Sequence, residues 1–533
     1  MLDYHHPSRP VNTLGKPWFI EDTTGRSYSF EEVRTRVQGL ASSLKTRYNI
    51  TENDVDYVIA FWAVHRLGAV ITAKLIITHP TSQPVALAAA QQAAKPIPRS
   101  HILYFSVPSP SNQVEPNIST LIATALQKPI TYAERKLSSG EGKTKLALLA
   151  FSSGTTGRPK AVAISHYAII ANIMQMSVFN KVTEEYDIHE RKRIRVGDVG
   201  LGVLPLFHIY GLVINCHWLL FCGMSFVCTT KFNFEEMLRN IEKYKITHLM
   251  LVPPHMVAFC KHPATLKYNL SSIRFVICGA APVAAELSEQ FRKLVPRDCE
   301  VIQAFGMTET ATAVTFSPVE HRVGVPGSAG RLINGIQAKV IKEDGTLAGY
   351  DEPGEMVIFT PATAMGYANN KEATEKTFKD GWVYSGDQVK FTPEGDMFVV
   401  DRLKEIFKVR GFQVAPAELE GHLLDHPDVA DTGVVGIPDE YSGEVPLAFV
   451  VLREDARKRA EEAGESDKIK ENIMKHVADH KVKYKWLAGG VEFINEIPKT
   501  PSGKILRRFL RDKAQKIRAE RVTTNTTPAK AKL

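Results

Sequence analysis

The chain has 533 residues, 44% hydrophobic and 23% charged, so it carries enough apolar material for a large core, and the body of the chain is not of the disordered class. At roughly 150 residues per domain, this length predicts about three or four structural units. The net charge of +8 is a mild excess that suits anionic ligands such as nucleotides; no basic stripe interleaved with aromatics argues for nucleic acid.

The opening run MLDYHHPSRPVNTLGK lacks the apolar core of a signal peptide. The six cysteines, at 216, 222, 228, 260, 278 and 299, form no CxxC pair and read as reduced, mostly buried thiols. Residues 28–48 repeat apolar positions at helical spacing and predict a helix. Apolar runs at 146–151, 200–204, 248–252 and 274–278 follow the strand pattern. Each ends in a loop rich in Gly, Ser, Thr or Pro, and helical sequence often follows. That alternation predicts a largely parallel α/β architecture, with ligands bound beyond the carboxyl ends of the strands.

Residues 201–228 are long and apolar but carry Pro205, His208, Asn215 and His217, which fits a core segment of an α/β domain better than a membrane span. From about 335 short strands with tight turns predict a β-rich subdomain. After Asp401 a compact α+β region follows, with a helix at 417–424 and strands at 432–436 and 447–452. The closing VTTNTTPAKAKL is of low complexity and reads as a flexible tail.

Five loops carry chemistry. Ser152-Ser153-Gly154-Thr155-Thr156-Gly157-Arg158-Pro159-Lys160 follows LALLAF and offers amides and hydroxyls to phosphate oxygens. Two residues separate its glycines, so it is not the common P-loop; an ordinary flexible turn explains its composition equally well. Gly279-Ala280-Ala281-Pro282 ends a strand with small residues that admit a flat ligand. Phe305-Gly306-Met307-Thr308-Glu309 offers an aromatic face, a hydroxyl and a carboxylate, suited to a base, a phosphate and Mg²⁺. Ser385-Gly386-Asp387 places a carboxylate where ribose hydroxyls can donate to it, and Pro498-Lys499-Thr500-Pro501-Ser502-Gly503-Lys504 ends a constrained loop in a lysine. Taken singly, Glu309 reads as a solvated acid, Asp387 as part of a turn and Lys504 as a surface charge.

Together, and in order, SSGTTGRPK, PLFHIYG, GAAP, FGMTE, GWVYSGD, DRLKEIFKVRGFQVAPAELE and PKTPSGKILRR resemble the adenylate-forming superfamily of acyl-CoA synthetases, adenylation domains and luciferases. KVRGFQVAPAELE and PKTPSGKILRR look most like 4-coumarate–CoA ligase and related fungal aryl- and acyl-CoA ligases. The resemblance implies an N-terminal region over 1–400, a hinge at 401–404 with Lys404 at its pivot, a mobile C-terminal domain over 405–512 and a tail over 513–533. It also implies roles. Ser152, Ser153, Gly154, Thr155, Thr156, Gly157 and Lys160 belong to the phosphate loop. Gly279, Ala280, Ala281 and Gly306 line the AMP site. Thr308 touches the α-phosphate and Glu309 the Mg²⁺. Asp387 and Arg402 hold the ribose, and Phe305, where relatives usually have Tyr, stacks on adenine. Lys504 bridges carboxylate and α-phosphate, while Lys408 and Gln413 form a second polar pair. Gly411 and Phe412 border the coenzyme A path. His208, Tyr210, Gly279 and Ala313 lie at the acyl pocket.

The implied reaction is ATP-dependent acyl-adenylate formation, followed by thioester formation with coenzyme A. The expected acid is aryl, phenylpropanoid-like or medium-chain. Thr310-Ala311-Thr312-Ala313 is less bulky at its last two positions than plant coumarate ligases, hinting at a roomier pocket. Alternatives are an enzyme that loads a carrier-protein thiol, a more distant luciferase-like oxygenase, and a truncated inactive homologue. The last arises because relatives carry extra residues near 54–56 and 73–75, which we read as a gene-model error or exon skipping. Ala531-Lys532-Leu533 resembles a peroxisomal address, implying an import receptor as partner.

Overall fold

The computed structural model describes residues 15–48, 70–71, 75–78, 80–92, 96–104, 116–128, 137–152, 160–229, 232–283, 285–500 and 503–525. The junctions near 54–56 and 73–74, the loop residues Ser153, Gly154, Thr155, Thr156 and Gly157, and Ala531-Lys532-Leu533 lie outside these residues.

A seven-stranded sheet organises the N-terminal region. Its strands run in the order Glu300–Gln303, Phe275–Cys278, His248–Leu251, Val199–Gly202, Ser225–Cys228, Phe19–Glu21, Ser27–Tyr28. All neighbours are parallel except the last pair. The central strands are buried along their whole length, as a parallel sheet covered by helices on both faces requires. The helix expected at the start is Phe30–Tyr48.

The run at 146–151 behaves differently from the other three. Leu146–Ser152 pairs antiparallel with Lys160–Ser165, which in turn pairs with Gly366–Tyr367 in a separate three-stranded sheet. Ser152 faces Lys160 in register, so the Ser- and Gly-rich loop joins two strands of a hairpin and does not lead from a strand into a helix. An apolar run specifies a strand but not its partner, so the parallel expectation failed at this point. Residues 201–228 form core: a strand end, the π-helix Tyr210–Trp218, a short helical turn and the strand Ser225–Cys228, almost all buried. Among the described residues no helix is long and apolar enough to cross a membrane.

The β-rich part is the antiparallel set Gln337–Ile341, Gly354–Phe359, Trp382–Phe391 and Phe378–Lys379, with Met397–Arg402 paired to Trp382–Phe391. The separate C-terminal domain has its own sheet, ordered Phe412–Val414, Phe407–Val409, Gly443–Leu452, Val429–Asp439, with Gly490–Phe493 parallel to Gly443–Leu452. The helix Pro416–Leu423 packs on it. Val414, Leu419, Leu423, Val434, Ile469, Ile473 and Val477 form its buried core.

The tail expected from 513 begins later. The helix Arg507–Asn525 continues through that boundary, because Leu510, Ala514 and Ile517 recur at helical spacing and pack against Val435, Leu447 and Phe449. All six cysteines are free, four of them buried, and burial raises every thiol. Cys260 is pushed up to about 11 and Cys216 to about 12.

Candidate active site

The carboxyl ends of the parallel strands open into a cavity of about 1360 Å³ between the N-terminal region and the C-terminal domain. Phe275–Cys278 leads into Gly279, Ala280 and Ala281, and Glu300–Gln303 into Phe305 and Gly306; all five line the cavity. Ala280 adopts φ +70°, a left-handed conformation that L-residues rarely take. The loop is held there by Gln303, whose side chain accepts from the Val283 amide at 3.0 Å and donates to its carbonyl at 3.1 Å.

Tyr210 forms one wall. Its hydroxyl donates to the Ile277 carbonyl at 3.2 Å, so the ring is tied to the strand ends. The Tyr210 amide donates to His208 Nδ1 at 3.2 Å. A ring nitrogen that accepts an amide proton carries none itself, so the neutral tautomer of His208 holds its proton on Nε2. Burial, and then the charge of Lys504, push His208 down to about 4, so the ring is neutral at physiological pH. Ala313, also on the wall, is clamped by Asn172, which accepts its amide proton at 3.0 Å and donates to its carbonyl at 2.8 Å.

Thr308, Glu309 and Thr310 form a buried turn. Glu309 Oε1 accepts the Tyr367 hydroxyl at 2.7 Å. Lys160, which lines the cavity beside Ser152, sits over the Tyr367 ring at 4.4 Å. Tyr367 was not singled out in the sequence; its signal was slight, an aromatic two residues after Met365 in a stretch of small residues.

Across the cavity Asp387 and Arg402 face each other in register on adjacent strands, with Arg402 Nε 3.4 Å from Asp387 Oδ1. Lys404 lines the same rim. Lys504 reaches in from the C-terminal domain on a loop closed by Thr500, whose hydroxyl accepts the Lys504 amide at 3.1 Å. Burial, with Arg402 adding repulsion, lowers Lys504 to about 7. Burial likewise raises Asp387, against the pull of Arg402 and Lys504. The cavity walls penalise both charges, and an anionic ligand beside Lys504 would favour its protonated form.

Lys408, Gly411, Phe412 and Gln413 are not brought to the cavity. Lys408 Nζ pairs with Glu343 at 2.8 Å, Gln413 Oε1 accepts from Gln388 at 2.9 Å, and Phe412 stacks on Tyr484 with ring centroids 4.7 Å apart. Gly411, at φ +85°, makes the turn between the two hairpin strands. The reason lies in the strand order. This hairpin forms one edge of the C-terminal sheet, while Ile505, the neighbour of Lys504, packs at Gly433 on the opposite edge strand. With strands about 4.8 Å apart the two edges are separated by roughly 14 Å, so one placement of the domain presents only one of them to the cavity.

A mixed α/β body with a large cavity at its strand ends, completed by a lysine from a second domain, has the layout of a two-domain enzyme that closes on its ligand. The chain belongs to the AMP-binding enzyme family, matched over residues 8–368, with the AMP-binding enzyme C-terminal domain matched over 418–504. It is similar to acyl-CoA ligase cm3C of Cordyceps militaris, 30% identical over 93% of this chain and 84% of the relative. It is also similar to 4-coumarate–CoA ligase 5 of Oryza sativa subsp. japonica, 34% identical over 93% of this chain and 91% of the relative. The fold matches ATP-bound MatB from Rhodopseudomonas palustris with TM-score 0.75 and 21% identity, over 95% of this chain and 97% of that one. The chain is thus an enzyme of the AMP-binding acyl-CoA ligase family.

Proposed function

We propose that the protein is an acid–thiol ligase that activates an aryl, phenylpropanoid-like or medium-chain carboxylic acid with ATP and transfers the acyl group to coenzyme A. The observation that carries this reading is the convergence of Lys504, Asp387, Arg402 and neutral His208 on one cavity between two domains. The names of the relatives from Oryza sativa and Cordyceps militaris support the aryl and acyl acids as the substrate class.

In the first half-reaction a carboxylate oxygen attacks the α-phosphorus of ATP and pyrophosphate leaves. Lys504 supplies fixed positive charge where the phosphorane charge develops, which is more effective in a desolvated cavity than in water. His208 Nε2–H donates to the acyl carboxylate, and Tyr210, Gly279 and Ala313 shape the space for its side chain. Asp387 accepts from the ribose hydroxyls, Phe305 covers the base, and Lys160 with the loop after Ser152 receives the terminal phosphates. Glu309 fits the Mg²⁺ that accompanies ATP, since it is buried at the cavity and only Oε1 is taken by Tyr367. Mg²⁺ there supplies counter-charge to the phosphates.

In the second half-reaction the coenzyme A thiol loses its proton, its sulfur attacks the adenylate carbonyl, and AMP leaves. The edge-to-edge separation of Lys504 from Lys408, Gly411 and Gln413 supports a swing of the C-terminal domain about Lys404 between the two steps. The decisive experiment is carboxylate-dependent pyrophosphate release by the purified chain, over a panel of aryl and fatty acids, with and without coenzyme A. Release that quickens with coenzyme A and leaves an acyl-CoA is expected. Release without a thioester would move the reading to a carrier-protein substrate, and a folded but silent chain would point to an inactive homologue.

A further inference from the structure

Three imidazoles meet on the C-terminal domain where the helix Pro416–Leu423 packs against the helix Ser466–His480. His476 and His480 stand four residues apart, on one face of their helix. His422 approaches from the facing helix, with ring centroids 4.2 Å from His476 and 5.2 Å from His480. One nitrogen from each of the three lies within 4.8 Å of the others.

In each ring one nitrogen also meets a backbone carbonyl. His422 Nε2 donates to the His476 carbonyl and His476 Nε2 to the His422 carbonyl, both at 3.1 Å, and His480 Nδ1 donates to the His476 carbonyl at 3.0 Å. Each imidazole thus has its proton fixed on a backbone oxygen and one lone pair left over. A neutral imidazole held by its N–H on a carbonyl keeps its other nitrogen available to a metal. Asp425, three residues beyond His422, lies within electrostatic reach of His422 and His476 and adds negative charge.

We propose that His422, His476 and His480 bind one divalent transition-metal ion of the zinc class, tying the two helices together. None of the three has a role in the reaction proposed above, although His422 and Asp425 also line the interdomain cavity. Zn–N bonds of about 2.0–2.1 Å in a tetrahedron put nitrogens about 3.3 Å apart, so the cluster contracts by up to about 1.5 Å on binding. The lone pair lies in the ring plane, and the rings of His422 and His476 are only 8° from parallel, so one of them turns about its Cβ–Cγ bond and gives up its carbonyl hydrogen bond. Water or Asp425 completes the coordination.

The test is zinc titration by calorimetry of the untagged full-length chain, stripped with chelator, paired with thermal melting. Wild type is expected to take up zinc at this site and to gain melting temperature. His480→Ala, at an exposed position, and His476→Gln should each weaken that binding at least tenfold and abolish the thermal gain. The adjacent His5 and His6 are removed in a control variant, which should bind as wild type does. Absence of a zinc site in wild type, or full binding and stabilisation in either cluster variant, overturns the proposal.

Discussion

The Tyr367 hydroxyl donates to Glu309 Oε1 at 2.7 Å, with both side chains buried and the Lys160 ammonium over the Tyr367 ring at 4.4 Å. This contact links the hairpin that carries the Ser- and Gly-rich loop to the carboxylate assigned to Mg²⁺. Tyr367→Phe leaves a buried carboxylate oxygen without its donor. It should lower stability by about 1–3 kcal/mol, seen in denaturant melts. It should also raise the Mg²⁺ concentration needed for half-maximal pyrophosphate release by about 10–100-fold. An unchanged Mg²⁺ dependence would remove Tyr367 from any positioning role.

Lys504→Ala should slow adenylation by about 10²–10³-fold, roughly 2.7–4 kcal/mol, as loss of one fixed stabilising donor does. Thioester formation from preformed acyl-adenylate should be spared. Single-turnover measurements of each half-reaction separate the two. An equal fall in both would show that Lys504 does not act selectively in the first.

The depressed Lys504 also sets a pH dependence. Its cation is the working form, so kcat/KM for adenylation should fall as pH rises through the free-enzyme value of about 7. In the nucleotide complex phosphate charge holds the proton, so kcat should fall only at higher pH. Stability runs the other way. The unfolded chain binds this proton up to the ordinary lysine range and the ligand-free fold releases it earlier. This group therefore makes the ligand-free protein more stable as pH rises from about 7 toward 10. Lys504→Met should raise the ligand-free melting temperature at or below neutral pH and flatten both trends.

Two glycines of the cavity wall should respond in opposite ways. A Cβ on Gly306 would lie 1.9 Å from the Thr312 carbonyl oxygen, which belongs to rigid backbone. Gly306→Ala should therefore lose at least about 1–3 kcal/mol of stability, with all activity falling together. A Cβ on Gly279 would meet the Ala304 carbonyl at 3.4 Å and the Tyr210 ring at 3.5 Å, ordinary contact distances. Gly279→Ala should fold normally and shift the acid preference toward smaller side chains. Specificity constants over acids of graded size are the readout.

Much of this architecture could be read from the chain. Three of the four apolar runs are neighbours in the parallel sheet or one strand apart, because continuous burial leaves an unbroken apolar run. The fourth, Leu146–Ser152, carried the same signal and joined a hairpin, since partner choice is settled by distant residues such as Gly366 and Tyr367. The helix Arg507–Asn525 runs past the tail boundary expected at 513, because its polar composition hides the spacing of Leu510, Ala514 and Ile517. Gly279, Phe305, Thr308, Glu309, Asp387 and Lys504 were legible in ligand-type loops and Arg402 only through the family resemblance; all seven line the cavity. Tyr367 and Gln303 were not, because a residue that acts by holding another has no motif of its own. The triad of His422, His476 and His480 was equally invisible, since His422 and His476 stand 54 positions apart on two different helices.

Cys278 ends the strand whose next residue, Gly279, lines the cavity. An enzyme that builds an acyl-adenylate holds a reagent able to acylate any sulfur nucleophile within reach, its own included. The nucleophile is the thiolate, and burial raises the Cys278 thiol well above its ordinary range. Burial raises every other cysteine in the same way, so all six stay in the protonated, weakly nucleophilic form near neutral pH.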